Sequence, residues 1–190
     1  MDMTDPISTL SGGPLMLADG RSLCFRPIRP EDTGRLRAFH RRLSMDTRRM
    51  RFFTPMRELS QTMAEFFCNV DFDRRVAVVV CYPGEDAIRG VGRYEVSDDR
   101  KSAEIAFVLE DDIQGMGLGT ALLRVLAQHA RSSGIDQFTA IVLPENTAML
   151  GVFQSCEFPA TVTHDDGTDY VTLDISEPQE PRPLVVSAAK

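Results

Sequence analysis

The stretch Gln114-Gly115-Met116-Gly117-Leu118-Gly119-Thr120 joins a strand-like segment to a segment with the apolar periodicity of a helix. Its three glycines alternate along the chain, and glycine permits positive φ and leaves no side chain between the backbone and a ligand. The helix that follows offers unpaired N–H groups and a partial positive charge at its first turn. The stretch therefore predicts an anion cradle, into which two successive phosphates would fit.

Two better-known phosphate motifs match this turn less well. A dinucleotide site has the spacing Gly-x-Gly-x-x-Gly in the first strand–helix unit, with an acid about 20 residues later. Here the spacing is Gly-x-Gly-x-Gly, and it falls past the middle of the chain. A nucleotide P-loop needs Gly-Lys-Ser/Thr, and this stretch has no lysine. A glycine loop without a ligand is the remaining alternative.

The residue patterns on both sides of the turn predict a mixed α/β fold. Helical spacing and capping residues predict five helices, over residues 30–43, 45–53, 60–69, 119–133 and 146–155. Runs rich in β-branched residues and short turns predict seven strands, over residues 22–28, 76–81, 88–96, 102–109, 137–143, 158–164 and 169–175. The three strands over 76–109 form a meander, and the strand–helix–strand unit over 102–143 implies parallel neighbours. We therefore expect a mixed, mostly antiparallel sheet flanked by helices.

The composition of the chain narrows the class of protein. The length of 190 residues suits one domain, which we place at 21–175. We expect residues 1–20 to form a flexible arm or a short hairpin, and residues 176–190 to form a flexible tail. The chain shows neither a signal-peptide pattern at its start nor an apolar run of roughly 20 residues, so we expect a cytoplasmic protein without a membrane anchor. A net charge of −7 argues against nucleic-acid binding and mildly favours cationic substrates. The four cysteines lack metal-ligand spacing, so we expect free buried thiols and no metal site.

The glycine turn resembles the signature Gln/Arg-x-x-Gly-x-Gly/Ala of the GNAT superfamily of acyl-CoA N-acyltransferases, and the resemblance extends over about residues 22–175. It implies a sheet whose two central parallel strands splay apart and hold acetyl-CoA, the co-substrate, between them. Backbone N–H groups of the turn would hold the pyrophosphate, and backbone groups of one strand would pair with the pantetheine arm. The cofactor-binding residues implied in this way are Phe107, Val108, Leu109, Gln114, Gly115, Met116, Gly117, Leu118, Gly119 and Thr120.

Four further segments resemble the Pat-type protein lysine acetyltransferases of bacteria. They are Arg26-Pro27-Ile28-Arg29-Pro30-Glu31-Asp32, Arg49-Met50-Arg51-Phe52-Phe53, Gly90-Val91-Gly92-Arg93-Tyr94 and Ala103-Glu104-Ile105-Ala106. The resemblance implies a stand-alone catalytic domain, monomeric or homodimeric, whose acceptor is a lysine of a protein such as an acyl-CoA synthetase. A small-molecule amine or polyamine acetyltransferase, or an acyl-CoA-binding sensor, remains an alternative.

Glu104 is the candidate catalytic residue. It lies in an otherwise apolar strand, and alternation places it on one face with Ala106 and Val108. A carboxylate among apolar neighbours is poorly solvated, which suits a general base. In the Pat-type family the matching glutamate is the proposed base. A backbone N–H near Val108 would stabilise the oxyanion.

Two positions near the next helix concern the cofactor. Asn146 is a preferred helix cap, and its counterpart in the superfamily contacts the CoA arm. Phe153 stands where many relatives have a tyrosine that protonates the leaving thiolate, so this position cannot supply a proton. Glu157 replaces a common glycine and either disturbs the nearby loop or varies without effect.

Overall fold

The structure is a computed structural model that describes residue 10, residues 14–17, 19–54 and 56–177, and the backbone of residues 185–188. Within these residues lie five α-helices: α1 Thr33–Arg42, α2 Met45–Phe52, α3 Gln61–Cys68, α4 Leu118–Ser132 and α5 Thr147–Ser155. The strands are β1 Leu15–Met16, β2 Ser22–Pro27, β3 Arg75–Cys81, β4 Gly90–Val96, β5 Ser102–Leu109, β6 Gln137–Val142, β7 Ala160–Asp165, β8 Thr168–Asp174 and β9 Val185–Ala188. The predicted helices and strands all appear, with ends shifted by a few residues.

The strands of the described residues form one mixed sheet in the order β1-β2-β3-β4-β5-β6-β8-β7-β9. Most neighbours are antiparallel, while β5 pairs with β6 and β7 with β9 in parallel. Of the two edge strands, β9 was not predicted, and β1 corresponds to the short hairpin that was one alternative for residues 1–20. The short β1 forms a hairpin with β2 inside the region assigned to the arm, and β9 pairs with β7 inside the region assigned to the flexible tail. The rest of these two predicted segments lies largely outside the described residues.

The central parallel pair separates soon after it begins. The β5–β6 ladder joins Ser102–Glu104 only to Gln137–Thr139, although β5 continues to Leu109 and β6 to Val142. On their outer edges, both strands remain paired along their length, β5 with β4 and β6 with β8. The splayed pair predicted from the resemblance is therefore present, and it opens a gap toward the carboxyl ends of these two strands.

Both faces of the sheet are covered, which explains the continuous apolar run in β3. Val76, Val78 and Val80 pack into the core beneath α4. The alternate residues of β3, among them Ala77 and Val79, pack into a second core beneath α1 and α3. Along β5 the helices cover one face fully and the other only in part, because Glu104 is exposed and Ala106 is half-buried.

The segment between β2 and α1 is held by a buried carboxylate. Asp32 is 1% exposed, and its two carboxylate oxygens accept from Arg26 at 2.6 and 2.8 Å. It also accepts from the backbone N–H of Arg29 at 2.9 Å. Burial alone would raise the pKa of Asp32, but these hydrogen bonds and the charges of Arg26 and Arg35 outweigh it and lower the pKa. The Arg26–Asp32 segment thus fixes the start of α1 on the sheet.

The cysteines are free, as predicted: Cys68, Cys81 and Cys156 are buried and Cys24 is half-buried. In the part of the chain that the structure describes, no helix is long and apolar enough to cross a membrane.

Candidate active site

The glycines of the turn serve two different geometric needs. Gly115 and Gly117 have φ of 71° and 83°, which places both in the left-handed region. Gly119 lies inside α4 with ordinary helical φ, but a Cβ atom there would stand 2.7 Å from Cγ2 of Val152. The first two glycines therefore shape the turn, and the third lets α4 and α5 approach closely.

The first turn of α4 has free hydrogen-bond donors. Gly117 precedes the helix, and no side chain caps it. The first backbone bond of the helix runs from the N–H of Ala121 to the carbonyl of Gly117. The N–H groups of Leu118, Gly119 and Thr120 consequently lack an acceptor within the helix, at the positive end of a helix of 15 residues. This is the geometry that binds phosphate groups.

The inner edge of β5 provides a second set of backbone groups. Beyond Glu104 this edge has no partner strand among the described residues, so its N–H and C=O groups face the gap toward β6. An extended ligand could pair with them as an added strand does. One carbonyl is already engaged, because Leu109 accepts from Nε2 of Gln114 at 3.0 Å.

The gap, the turn and α5 together enclose a cleft of about 490 Å³. Asn146 caps α5, with its Oδ1 accepting from the N–H of Met149 at 3.1 Å, and it also lines the cleft. The predicted cofactor residues that line the cleft are Phe107, Val108, Leu109, Gln114, Gly115, Gly117, Gly119, Thr120 and Asn146. We name this space the donor cleft.

Three of the predicted cofactor residues do not line the donor cleft. Leu118 and Phe153 are buried in the core beneath α4, 2% and 1% exposed, and the side chain of Met116 packs against the same core. For Met116 and Leu118, only backbone groups can take part in the predicted cradle. Glu157 pairs with Arg124 of α4 at 2.6 Å and is likewise absent from the cleft lining.

Helix α2 forms the other wall of the donor cleft, and the loop before the glycine turn holds it in place. Asp111 accepts from the N–H and hydroxyl of Ser44, at 3.0 and 2.6 Å, and from the hydroxyl of Thr47 at 2.7 Å. Gln114 donates to the same Thr47 hydroxyl at 3.2 Å. These bonds fix α2 relative to the turn and so position Arg51, one helical turn further along.

Glu104 lies in a second space, an open groove of about 760 Å³ on the other side of Arg51. The groove is lined by residues of α2, α3, β4 and β5 and by the exposed turns at 71–75 and 97–98. Arg51 lines both the donor cleft and this groove, so the two spaces meet at its side chain. We name the second space the acceptor groove.

The prediction that apolar side chains surround Glu104 was wrong. Its side chain is exposed, and the groove around it also contains Arg51, Arg74, Arg75 and Arg93. Strand alternation gave the face correctly, but helices do not cover that face at Glu104. The carboxylate is therefore solvated, and arginines and other carboxylates line the groove around it.

Three polar residues of the groove were missed by the sequence interpretation. Glu95 lies directly opposite Glu104 on β4, and both carboxylates line the groove. Arg51 and Arg93 each stand in a quoted segment, but nothing in either segment shows that they converge. Only the fold brings α2, β4 and β5 together at this point.

The histidines do not contribute to this arrangement as catalytic groups. His129 is fully buried, and its Nδ1 shares a 2.6 Å hydrogen bond with the hydroxyl of Tyr94. His164 contacts Asp169 at 2.8 Å, on β7 and β8 at the far side of the sheet. His40 of α1 is buried, with its ring centroid 5.6 Å from that of Phe52 in α2.

The geometry suits group transfer from a phosphate-bearing donor to an acceptor. The donor cleft offers a phosphate cradle and an open strand edge, and the acceptor groove reaches it beside a carboxylate. The class of protein that combines these features on a splayed mixed sheet is an acyl-CoA-dependent acyltransferase.

Comparison with known proteins agrees with this class. The model of the acetyltransferase (GNAT) domain family matches residues 22–159. The chain therefore belongs to the GNAT acetyltransferase family, and it is an N-acetyltransferase with a GNAT fold.

Two of the similar proteins carry the name Pat. Acetyltransferase PA5475 of Pseudomonas aeruginosa is 32% identical over 82% of this chain and 84% of its own length. The solved GNAT domain of S. lividans PAT superposes with a TM-score of 0.78 at 31% identity, covering 85% of this chain and 96% of that one. Acetyltransferase Pat of Mycolicibacterium smegmatis is 28% identical over 72% of this chain but only 41% of its own length. Some solved structures with the same fold contain acetyl-CoA or coenzyme A.

Proposed function

We propose that this enzyme transfers the acetyl group of acetyl-CoA to the ε-amino group of a protein lysine, with Glu104 as the general base. The observation that carries the proposal is the junction at Arg51. There the donor cleft, with its phosphate cradle, meets a groove that contains an exposed carboxylate. Acetyl-CoA is a substrate in this account, with its diphosphate on the first turn of α4 and its pantetheine arm along the free edge of β5.

The first chemical step is loss of a proton from the acceptor. A lysine ammonium has a pKa of about 10.4 and is not a nucleophile until it is deprotonated. Glu104 accepts this proton directly or through one water molecule. Glu104 is preferred over Glu95 because β5, and not β4, borders the gap between the splayed strands.

The neutral amine then attacks the thioester carbon, and a C–N bond forms as the carbonyl oxygen becomes an oxyanion. A backbone N–H on the free edge of β5, near Val108, would stabilise this oxyanion. Collapse of the intermediate breaks the C–S bond and releases the thiolate of CoA, while the nitrogen loses its second proton to water and the neutral amide forms. The thiolate leaves without help from position 153, since the Phe153 ring is buried and has no proton to give.

The shape of the acceptor groove favours a protein acceptor over a polyamine. The groove is open and runs from Arg51 to exposed turns at 71–75 and 97–98, which suits an extended segment. The likeness to the GNAT domain of S. lividans PAT supports the same choice. Three further points remain predictions from the sequence. They are that the acceptor is an acyl-CoA synthetase, that the enzyme acts in the cytoplasm, and that it is a monomer or a homodimer.

Thiol release from acetyl-CoA tests this proposal. We expect faster turnover with a lysine-containing protein such as an acyl-CoA synthetase than with free lysine or spermidine. Mass spectrometry should place the acetyl group on a lysine side chain. Glu104→Gln should abolish most of this turnover, whereas the matched control Glu95→Gln, in the opposite strand of the same groove, should retain it. Binding of acetyl-CoA without turnover of any acceptor would instead support a sensor.

A further inference from the structure

The acceptor groove contains two arginines that form no ion pair with a described residue. Of the four arginines that line it, Arg74 pairs with Asp98 at 2.8 Å, and Arg75 donates to the carbonyl of Asn69 at 2.6 Å. Arg51 and Arg93 have no hydrogen-bond acceptor and no ion-pair partner among the residues that the structure describes. Each guanidinium instead lies over an aromatic ring, at 5.1 Å from the centroid of Phe52 and 4.7 Å from that of Phe67, respectively.

These two arginines are half-buried and close enough to influence each other. Burial, and then the charge of Arg51, lowers the pKa of Arg93 to about 10, against the opposing effect of Glu95. Burial also lowers the pKa of Arg51, against the opposing effect of Glu104. Partial burial of two neighbouring positive charges is costly, and Glu104 and Glu95 offset it only through space, without an ion pair, so an anionic ligand held by both guanidinium groups would reduce this cost.

A small cavity beneath the groove points to the same place. It has a volume of about 30 Å³ and is lined by both arginines and by His40 of α1. His40 is 2% exposed, and neither of its ring nitrogens has a hydrogen-bond partner in the described part of the chain. Burial, and then the charge of Arg48, lowers the pKa of His40 and keeps it neutral, so one ring nitrogen is a free N–H donor. The guanidinium groups of Arg51 and Arg93 and the ring of His40 thus line one small cavity, and the two arginines also line the acceptor groove.

We propose that Arg51, Arg93 and the cavity bearing His40 form an anion subsite that takes a carboxylate of the acceptor. This inference rests on the proposed function, and it specifies the acceptor further: the modified lysine lies near an acidic side chain in its segment. The planar guanidinium groups of Arg51 and Arg93 suit a carboxylate, which accepts paired N–H bonds. Glu104 remains beside Arg51 to receive the proton of the lysine.

A matched peptide set tests the subsite with the full chain. Each peptide carries one lysine and a single glutamate at one of the neighbouring positions, and its partner has glutamine there. We expect the wild-type enzyme to favour glutamate at one position by roughly tenfold in kcat/KM, mainly through a lower KM, as a charged hydrogen bond allows. Equal kcat/KM for all pairs would overturn the proposal.

Variants of the groove connect this preference to Arg93. Arg93→Gln should reduce the preference to less than about twofold, and Arg93→Lys, which keeps the charge, should restore part of it. Arg74→Gln is the matched control, because Arg74 lines the same groove but is already paired with Asp98, so the preference should persist. A preference that survives in a folded Arg93→Gln variant contradicts the assignment.

A second pair of acceptors separates failure of the subsite from failure of the proposed function. If no peptide is acetylated, the lysine-acetyltransferase proposal fails, and free lysine can be compared with cadaverine, which lacks only the carboxylate. A preference for lysine that disappears in Arg93→Gln would still support the anion subsite. Equal use of the two amines, or turnover of neither, would overturn it.

Discussion

Backbone groups form most of the donor cleft, whereas side chains form most of the acceptor groove. Backbone groups of the glycine turn, the first turn of α4 and the free edge of β5 form the donor cleft. Side chains from α2, α3, β4 and β5 form the acceptor groove. A backbone site depends on a short local motif, whereas a side-chain site depends on segments that only the fold brings together. The donor cleft can therefore be shared by many acetyltransferases, while the acceptor groove distinguishes one from another.

The largest expected effect is on the rate of acetyl transfer, without a matching effect on the affinity for acetyl-CoA. In Glu104→Gln the acetyl-transfer step should slow by roughly 10²- to 10³-fold, because a general base is lost. The dissociation constant of acetyl-CoA should stay within about twofold, since Glu104 does not line the donor cleft. Single-turnover rates and calorimetric titration measure the two quantities. A comparable loss of acetyl-CoA affinity would mean that the two halves are not separate.

The next effect concerns the segment that fixes the start of α1 on the sheet. Asp32→Asn should lower the free energy of unfolding by about 3 kcal/mol, because it leaves Arg26 without its buried partner. Asp86→Asn removes a well-exposed partner of Arg35 and should cost less than about 1 kcal/mol. Urea unfolding at neutral pH measures both changes. Equal effects of the two substitutions would contradict the assigned role of Asp32.

The difference in stability between wild type and Asp32→Asn should depend on pH. The pKa of Asp32 is lowered in the folded state, so its stabilising contribution is present above the unfolded pKa of about 3.9. That contribution is lost as the pH falls through the folded pKa. The stability difference between wild type and Asp32→Asn should therefore shrink below about pH 4, and a difference that stayed constant down to pH 2 would argue against this carboxylate.

A glycine exchange should weaken the donor half alone. Gly117→Ala forces a side chain into the left-handed region at the phosphate cradle, at a cost of about 1–2 kcal/mol. We expect the KM for acetyl-CoA to rise roughly tenfold while the KM of the acceptor changes little. Gly134→Ala is the matched control, because Gly134 has φ of 79° and equally open surroundings beyond the other end of α4. If both variants raise the KM for acetyl-CoA alike, the effect is general strain rather than loss of the cradle.

The smallest effect is expected at the missing tyrosine. Phe153→Tyr should change kcat by less than about twofold, because position 153 is 1% exposed and lies in the core beneath α4. The added hydroxyl would be buried without an assured partner and should cost about 1–3 kcal/mol of stability. Steady-state kinetics and thermal unfolding measure these changes. A rise of tenfold or more in kcat would show that this side chain can reach the leaving thiolate.

The sequence predicted the shape of the glycine turn in the donor cleft because the residues that determine it are local. Alternating glycines before an apolar helix specify the turn whatever the rest of the chain does, and Gly115 and Gly117 have the positive φ that this requires. The order of strands and helices followed from periodicity for the same reason. Strand β9 was missed because its segment follows a proline-rich stretch and pairs with a strand 24 residues earlier, as with Val185 and Thr161.

The acceptor half could be predicted only in part. Alternation placed Glu104 on the right face, but its solvation depends on how far the helices extend over β5. The convergence of Arg51 from α2 and Arg93 from β4 involves positions far apart in sequence, so neither residue's local pattern reveals it. The pairing of Glu95 with Glu104 likewise depends on the register of two strands.

The central claim is that acetyl-CoA lies between the splayed strands and presents its acetyl group to the acceptor groove at Arg51. A crystal structure of the full chain with acetyl-CoA tests this most directly. We expect the diphosphate to lie within about 3 Å of N–H groups of the first turn of α4, with the acetyl group next to Arg51 on the side of Glu104. A diphosphate bound elsewhere, or an acetyl group directed away from Glu104, would contradict the account.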